Sequence, residues 1–276
     1  MAYIQTEVKS QLMGRSVPVC LYFPADSNLC GGQVRGVITL LHGYGEAGRE
    51  WPMMTAACRY AMQNGYILIC PSVDNSFYCD MAAGSPFYTW MTEELPAVLD
   101  EMFVIPRERE KNFIAGDSMG GYGALRLALL HPDRYAACAS FSGSLDMSLM
   151  LLGGKVPFLP AASRKVVRQL MVPIFGPGLR LPKHADLVHL CRQTAKLPKE
   201  AQPRIFLSCG RQDTAYHMVL LQNDRFRNKI AGLPLDFTYR EWDGEHLWCV
   251  WDRALAEFIG FIQNDDFAEQ AKQYWL

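Results

Sequence analysis

Short apolar runs, each stopped by turn residues, set the rhythm of the chain. They are Val37–Leu41 before His42-Gly43, Ile67–Cys70 before Pro71, Phe113–Ala115 before Gly116, Ala136–Phe141 before Ser142-Gly143, Ile205–Cys209 before Gly210, and Phe237–Tyr239. The runs are too short for helices and most do not alternate with polar residues, so they predict strands buried on both faces, as in parallel sheets. Near the start, Thr6–Lys9 and Val17–Phe23 flank Gly14-Arg15-Ser16 and predict an antiparallel pair. Between the strands lie segments of helical pattern: Trp51–Asn64 ending at Gly65, Thr92–Met102, Gly121–Leu130 stopping at His131-Pro132, Met218–Ala231 ending at Gly232, and Arg253–Gln263. Alternating strands and helices predict a three-layer α/β sandwich around a mostly parallel twisted sheet. With no repeat and no linker, residues 1–276 read as one domain. The alternation breaks at Leu145–Ala201, after the sixth strand region. Prolines at 157, 160, 173, 177, 182 and 198 leave only short helical patches there, such as Ser163–Met171. An insertion that long is expected to be a lid over a site or a cover on the sheet.

Composition narrows the function. Lys plus Arg (27) balance Asp plus Glu (28), for a net charge of −1, which lacks the basic excess of a nucleic-acid surface. No apolar run approaches the roughly 20 residues that span a bilayer, and Met1–Gln11 lacks the apolar core of a signal peptide. The nine cysteines are an odd number, mostly within apolar runs, and none has C-x-x-C spacing. Reduced thiols, a cytoplasmic location and no structural metal are the corresponding expectations.

The chemistry concentrates at Gly116-Asp117-Ser118-Met119-Gly120-Gly121. A bare G-x-S-x-G is a weak signal, but here Asn112–Ala115 predicts a strand before it and Gly121–Leu127 a helix after it. That is the layout of a nucleophile elbow, a strained strand-to-helix turn that presents a serine hydroxyl. A serine needs a base and a group to orient that base, and on such sheets they follow in the order serine, acid, histidine. Asp213 follows the strand Ile205–Cys209, and His246 follows Phe237–Tyr239, so both fall at carboxyl ends of strands. His217, four residues beyond Asp213, is the competing histidine; His131, His184 and His189 have less suitable positions. Asp186, Asp243 and Glu245 are the carboxylates that compete with Asp213. The oxyanion donors expected are the N–H groups of Met119 and of Tyr44 in His42-Gly43-Tyr44-Gly45, with Gly43 second. Trp51, Tyr78, Trp90 and Trp248 are candidate pocket aromatics that could equally be core.

Leu41-His42-Gly43-Tyr44-Gly45, Pro71-Ser72-Val73-Asp74, Gly116–Gly121 with Tyr122-Gly123-Ala124, and Cys209-Gly210 with Asp213 occur in one order. Together they resemble the tributyrin-esterase branch of the esterase D family of α/β-hydrolases, across about Thr6 to Phe258. The family's relatives include S-formylglutathione hydrolases, feruloyl and acetyl-xylan esterases, and mycolyltransferases. The resemblance implies an α/β-hydrolase fold and the same triad and oxyanion residues. It also implies a serine carboxylesterase for short acyl or small aryl esters, with no cofactor or metal. A thioesterase or an acyltransferase on the same site is the alternative. A homo-oligomer remains open. The chain departs from the branch at Gly244-Glu245-His246-Leu247-Trp248, where the acid precedes the histidine instead of following it.

Overall fold

The computed structural model describes residues 1–24, 34–155, 160–214 and 218–274. Its centre is an eight-stranded sheet in the order β1-β2-β4-β3-β5-β6-β7-β8. The strands are β1 (Ala2–Ser10), β2 (Arg15–Phe23), β3 (Gly36–Leu41), β4 (Tyr66–Pro71), β5 (Asn112–Asp117), β6 (Ala137–Phe141), β7 (Arg204–Gly210) and β8 (Phe237–Trp242). β1 and β2 pair antiparallel through a turn with Gly14 at φ +64°, β2 joins β4 antiparallel, and every later pairing is parallel. The fold is that of an α/β-hydrolase.

Two cores explain why the central strands are mostly apolar. Val37 and Leu41 of β3 face one core, with Ile67, Ile114, Cys138 and Ile205, under the helices 87–102, 118–130, 187–194 and 219–230. Ile38 and Leu40 face the other, with Leu68, Ala115, Ala139 and Phe206, under the helices 50–64 and 248–271. Successive side chains point to opposite faces, so a strand covered on both sides is apolar at nearly every position, with only small polar residues such as Thr39, Ser140 and Ser208 between. The edge strand β1, mostly exposed, carries Gln5, Glu7 and Lys9.

Two helices differ from the sequence expectation. Trp51–Asn64 is broken at Thr55-Ala56 into Glu50–Met54 and Ala57–Asn64. Asp252, from the helix Trp248–Gln263, accepts the Ala56 N–H at 2.7 Å and the Tyr60 hydroxyl at 2.8 Å, capping the second piece. The helix expected at Thr92–Met102 starts at Phe87 and widens into a π turn over Trp90–Glu94. Pro96 cannot donate to the Thr92 carbonyl, and Arg134 Nη1 takes that acceptor at 2.6 Å.

In the Leu145–Ala201 segment, the helical patch expected at Ser163–Met171 lies within the longer helix Ala161–Phe175, and helices Met147–Gly153 and Leu187–Thr194 flank it. Tyr122 and Arg126 of the helix Ser118–Leu130 donate to the Ala185 and His184 carbonyls at 2.8 and 2.9 Å. That helix is buried from Met119 to Leu129, and these two bonds tie it to the segment that packs over it.

A methyl group at Gly120 would lie 2.1 Å from the Leu41 carbonyl oxygen, a backbone atom that cannot step aside. Gly120→Ala is expected to cost about 3 kcal/mol or more, whereas Gly232→Ala, with nothing within 4 Å of the added carbon, should stay within about 0.5 kcal/mol. Denaturant unfolding of both variants checks the contrast.

Candidate active site

The turn from β5 into the helix Ser118–Leu130 places Ser118 at φ +49°, in the left-handed region. A non-glycine residue there costs about 1–2 kcal/mol. The turn is held by packing: carbons added at Gly116 and Gly120 would strike the Gly120 and Leu41 backbones at 2.5 and 2.1 Å. Ser118 is half-buried at the carboxyl end of the sheet, and Ser144 donates its N–H to the Ser118 carbonyl at 3.2 Å.

Asp213 and His246 approach from the ends of β7 and β8. His246 Nδ1 lies 2.7 Å from Asp213 Oδ2, and the Asp213 side chain is fully buried. Because the carboxylate accepts, Nδ1 carries the proton, which leaves Nε2 as the ring's basic nitrogen. The Trp251 ring packs edge-on to the imidazole, with centroids 4.9 Å apart. Backbone bonds secure both loops: Asp213 N–H donates to Gly210 O at 3.1 Å and Gln212 N–H to Gly244 O at 3.0 Å.

The competing carboxylates are occupied or remote. Asp186 caps the helix Leu187–Thr194, accepting from Val188 and His189 N–H. Asp243 is exposed and pairs with Arg211 at 3.1 Å, hydrogen bonds that hold its carboxyl below the usual range. Glu245 is exposed. Among the other histidines, His131 accepts or donates to Tyr88 at 2.8 Å and stacks on its ring, with its pKa lowered chiefly by burial. His184 is exposed, and His189 lies partly buried on the helix Leu187–Thr194. His217 lies outside the described residues.

The loop after β3 separates its amides by use. Gly43 N–H donates to Glu46 Oε2 at 2.8 Å and Gly45 N–H to Asn75 Oδ1 at 2.7 Å, so of these three amides only that of Tyr44 has no acceptor. Met119 N–H, in the first helical turn, has no acceptor within its own helix. The Tyr44 amide shares a rigid peptide unit with the Gly43 carbonyl, whose oxygen lies 2.8 Å from His42 Nδ1. Val73 N–H donates to His42 Nε2 at 3.0 Å, which fixes the tautomer with the proton on Nδ1. Burial holds the His42 pKa down, so the ring stays neutral and keeps both bonds. This role of His42 was hidden in the sequence, where the residue reads as part of a glycine-rich turn.

The aromatics expected at the pocket need correction. Trp51, Tyr78 and Trp90 are fully buried and belong to the two cores. The Trp51 indole donates to Leu41 O at 3.0 Å, and the Tyr78 hydroxyl to His42 O at 2.9 Å. Trp90 packs edge-on against Phe87. Each supports the site's backbone or the core from behind. Trp248 is only partly buried, edge-on to Trp51 and Trp251. Among the described residues no group of His, Cys, Asp and Glu could hold a metal ion, and no helix is long and apolar enough to cross a membrane.

Comparison with known proteins gives one consistent result. The Esterase family model matches residues 10–262. An acetyl esterase of Caldicellulosiruptor saccharolyticus is 26% identical over 273 residues, covering 96% of this chain and 99% of that protein. An S-formylglutathione hydrolase of Paracoccus denitrificans is 28% identical over 156 residues, 49% of this chain and 54% of that protein. Among solved structures, FphF, a fluorophosphonate-binding serine hydrolase of Staphylococcus aureus, superposes with a TM-score of 0.78 at 24% identity, covering 96% of this chain and 99% of that one.

The short Nδ1–Asp213 bond should give a strongly deshielded ring proton in the ¹H NMR spectrum. The signal should vanish in Asp213→Ala and persist in Asp243→Asn; loss in the second variant would put the partner of His246 on the wrong carboxylate.

Proposed function

Since the chain belongs to the Esterase family, an esterase D-like group of serine carboxylic ester hydrolases on the α/β-hydrolase fold, we propose that Ser118, Asp213 and His246 are its catalytic triad. The Tyr44 and Met119 amides form the oxyanion hole. The observation that carries the reading is the 2.7 Å bond from His246 Nδ1 to Asp213, made at the carboxyl end of the sheet, where the strained elbow also presents Ser118. Ser118 Oγ attacks the ester carbonyl carbon as its proton passes to His246 Nε2. Asp213 holds the imidazole and stabilises its charged form. The two amides receive the negative charge of the tetrahedral oxygen. As that intermediate collapses, the leaving alkoxide takes the proton from Nε2, and water then repeats both steps on the acyl-enzyme.

The substrate we assign is an ester of a short acyl chain. Its support is the acetyl esterase, which aligns with nearly the whole chain. The half-length likeness to an S-formylglutathione hydrolase favours a thioester as the second substrate class. We also place the enzyme in the cytoplasm, a reading supported by the eight described cysteines, all of them free thiols. Small-molecule esters, rather than nucleic acids, suit its near-neutral charge.

Ser118→Ala should abolish turnover of p-nitrophenyl acetate and labelling by a fluorophosphonate while the protein stays folded. Asp213→Asn should lose about 10³ to 10⁴ in kcat through the wrong imidazole tautomer, against about tenfold or less for Asp243→Asn. Full turnover by the serine variant would end the assignment.

Across p-nitrophenyl esters from acetyl to palmitoyl, kcat/KM should peak between acetyl and about butyryl. A steady climb to palmitoyl contradicts the short-chain reading, and a preference for S-formylglutathione over every oxygen ester would move the enzyme to the thioesterase class.

A further inference from the structure

Asp117 is a buried acid placed immediately before the candidate nucleophile, and the triad makes no use of it. Its side chain is sealed from solvent, and among the described residues neither carboxyl oxygen meets a hydrogen-bond donor. An ionised carboxylate in that position would carry an uncompensated desolvation cost far larger than any single contact could offset. A second acid lies close by. The β3–β5 register sets Leu41 beside Gly116, so Asp117 stands abreast of the loop that begins at His42. A carbon added at Gly43 would lie 2.4 Å from Asp117 Oδ2 and 2.8 Å from Glu46 Oε2, so both oxygens converge on one glycine. Only glycine leaves room for that convergence. Glu46 Oε2 already accepts the Gly43 N–H at 2.8 Å.

Resting on the oxyanion-hole reading above, we infer that Glu46 and Asp117 form a proton-sharing acid pair that positions the oxyanion loop. The Asp117 O–H donates to Glu46, and the Glu46 carboxylate holds the Gly43 N–H. Sharing one proton leaves the pair with a single negative charge. The pair acts on the hole through Gly43, so its members are positioning residues. With the Gly43 amide held by Glu46 and the Gly43 carbonyl by His42, both peptide units flanking Gly43 are tethered, and the Tyr44 N–H is left for substrate.

The charged surroundings fit this arrangement. Burial first, and then the Glu46 charge, push the Asp117 pKa well above the usual carboxylate range, with Glu50 adding to the effect. Burial raises that of Glu46 more modestly, because the Gly43 N–H and Asp117 favour its charged form. Glu50 opposes ionisation of Glu46 and His246 favours it, while the Tyr78 phenol, which donates to the His42 carbonyl, is itself held neutral mainly by burial, with the Asp117 charge adding to the effect. A second charge in the pair would sit beneath amides that must receive an anion.

The test separates pairing from catalysis. Asp117→Asn keeps a donor toward Glu46 and removes the titration. A carboxyl whose folded pKa is raised contributes its full stability below the unfolded pKa of about 3.9 and loses it as pH rises toward the folded value. The folding equilibrium of Asp117→Asn relative to the natural protein should therefore improve about tenfold per pH unit above roughly pH 4, read by urea unfolding across a pH series. A ratio that is flat with pH overturns the shared proton. For p-nitrophenyl acetate, Glu46→Ala should lower kcat about tenfold to a hundredfold with KM within about twofold, and Glu46→Gln, which still accepts from Gly43, should recover most of the loss. A loss carried by KM, or no recovery in Glu46→Gln, overturns the positioning role. Should Glu46→Ala fail to fold, the Glu46→Gln and Asp117→Asn measurements still decide. Turnover surviving in Ser118→Ala would sink the triad while leaving the pH series of Asp117→Asn untouched.

Discussion

Where β3 and β5 end side by side, the Leu41 carbonyl faces the first turn of the helix Ser118–Leu130 so closely that a carbon at Gly120 would lie 2.1 Å from its oxygen. The rest of the site hangs from that contact. It brings the elbow and the loop after β3 together, so the serine and the free Tyr44 amide share one rigid junction. It also holds Ser118 in the left-handed region, a cost of about 1–2 kcal/mol that surrounding packing must sustain. The Trp51 indole on Leu41 O and the Tyr78 hydroxyl on His42 O fix the same backbone from outside the junction. Trp51 and Tyr78 are thus buttresses of the loop.

What the sequence made legible follows from which physical signals are local. The continuous apolar runs Val37–Leu41 and Ile205–Cys209 record burial on both faces, and Gly65, at φ +74°, ends its helix as a left-handed cap. The elbow was readable because Gly116 and Gly120 flank Ser118 at the spacing close packing demands. Asp213 and His246 were readable from strand order, and they meet at 2.7 Å. The break at Thr55-Ala56 was not readable, because its cause is Asp252, 196 residues away. Nor was the burial of Trp51, Tyr78 and Trp90. An aromatic near a strand end has the same local pattern whether it lines a pocket or closes a core, and only tertiary partners decide. In the insertion the helical patch Ser163–Met171 was readable, but its run to Phe175 was not, because Pro173 sits near the helix end, where few backbone bonds are lost.

His42 and Asp117, both buried beside the loop, share one logic, which is neutrality enforced by burial. His42 stays uncharged, and a protonated ring would set two N–H groups in place of one, turning Nε2 against the Val73 N–H it accepts. Asp117 is under the same pressure of opposite sign, since for an acid neutrality means keeping the proton. Each neutral group therefore has one defined hydrogen-bonding face. That matters more here than the energy of either bond, because an oxyanion hole works by amides already oriented before charge develops. Charge is left where it has a partner: on Asp213, against the imidazole, and on Asp243 and Asp146, against arginines on the exterior. A site built this way spends its burial on holding dipoles still, and it limits the charge beneath the oxyanion loop to the one that the Gly43 N–H holds.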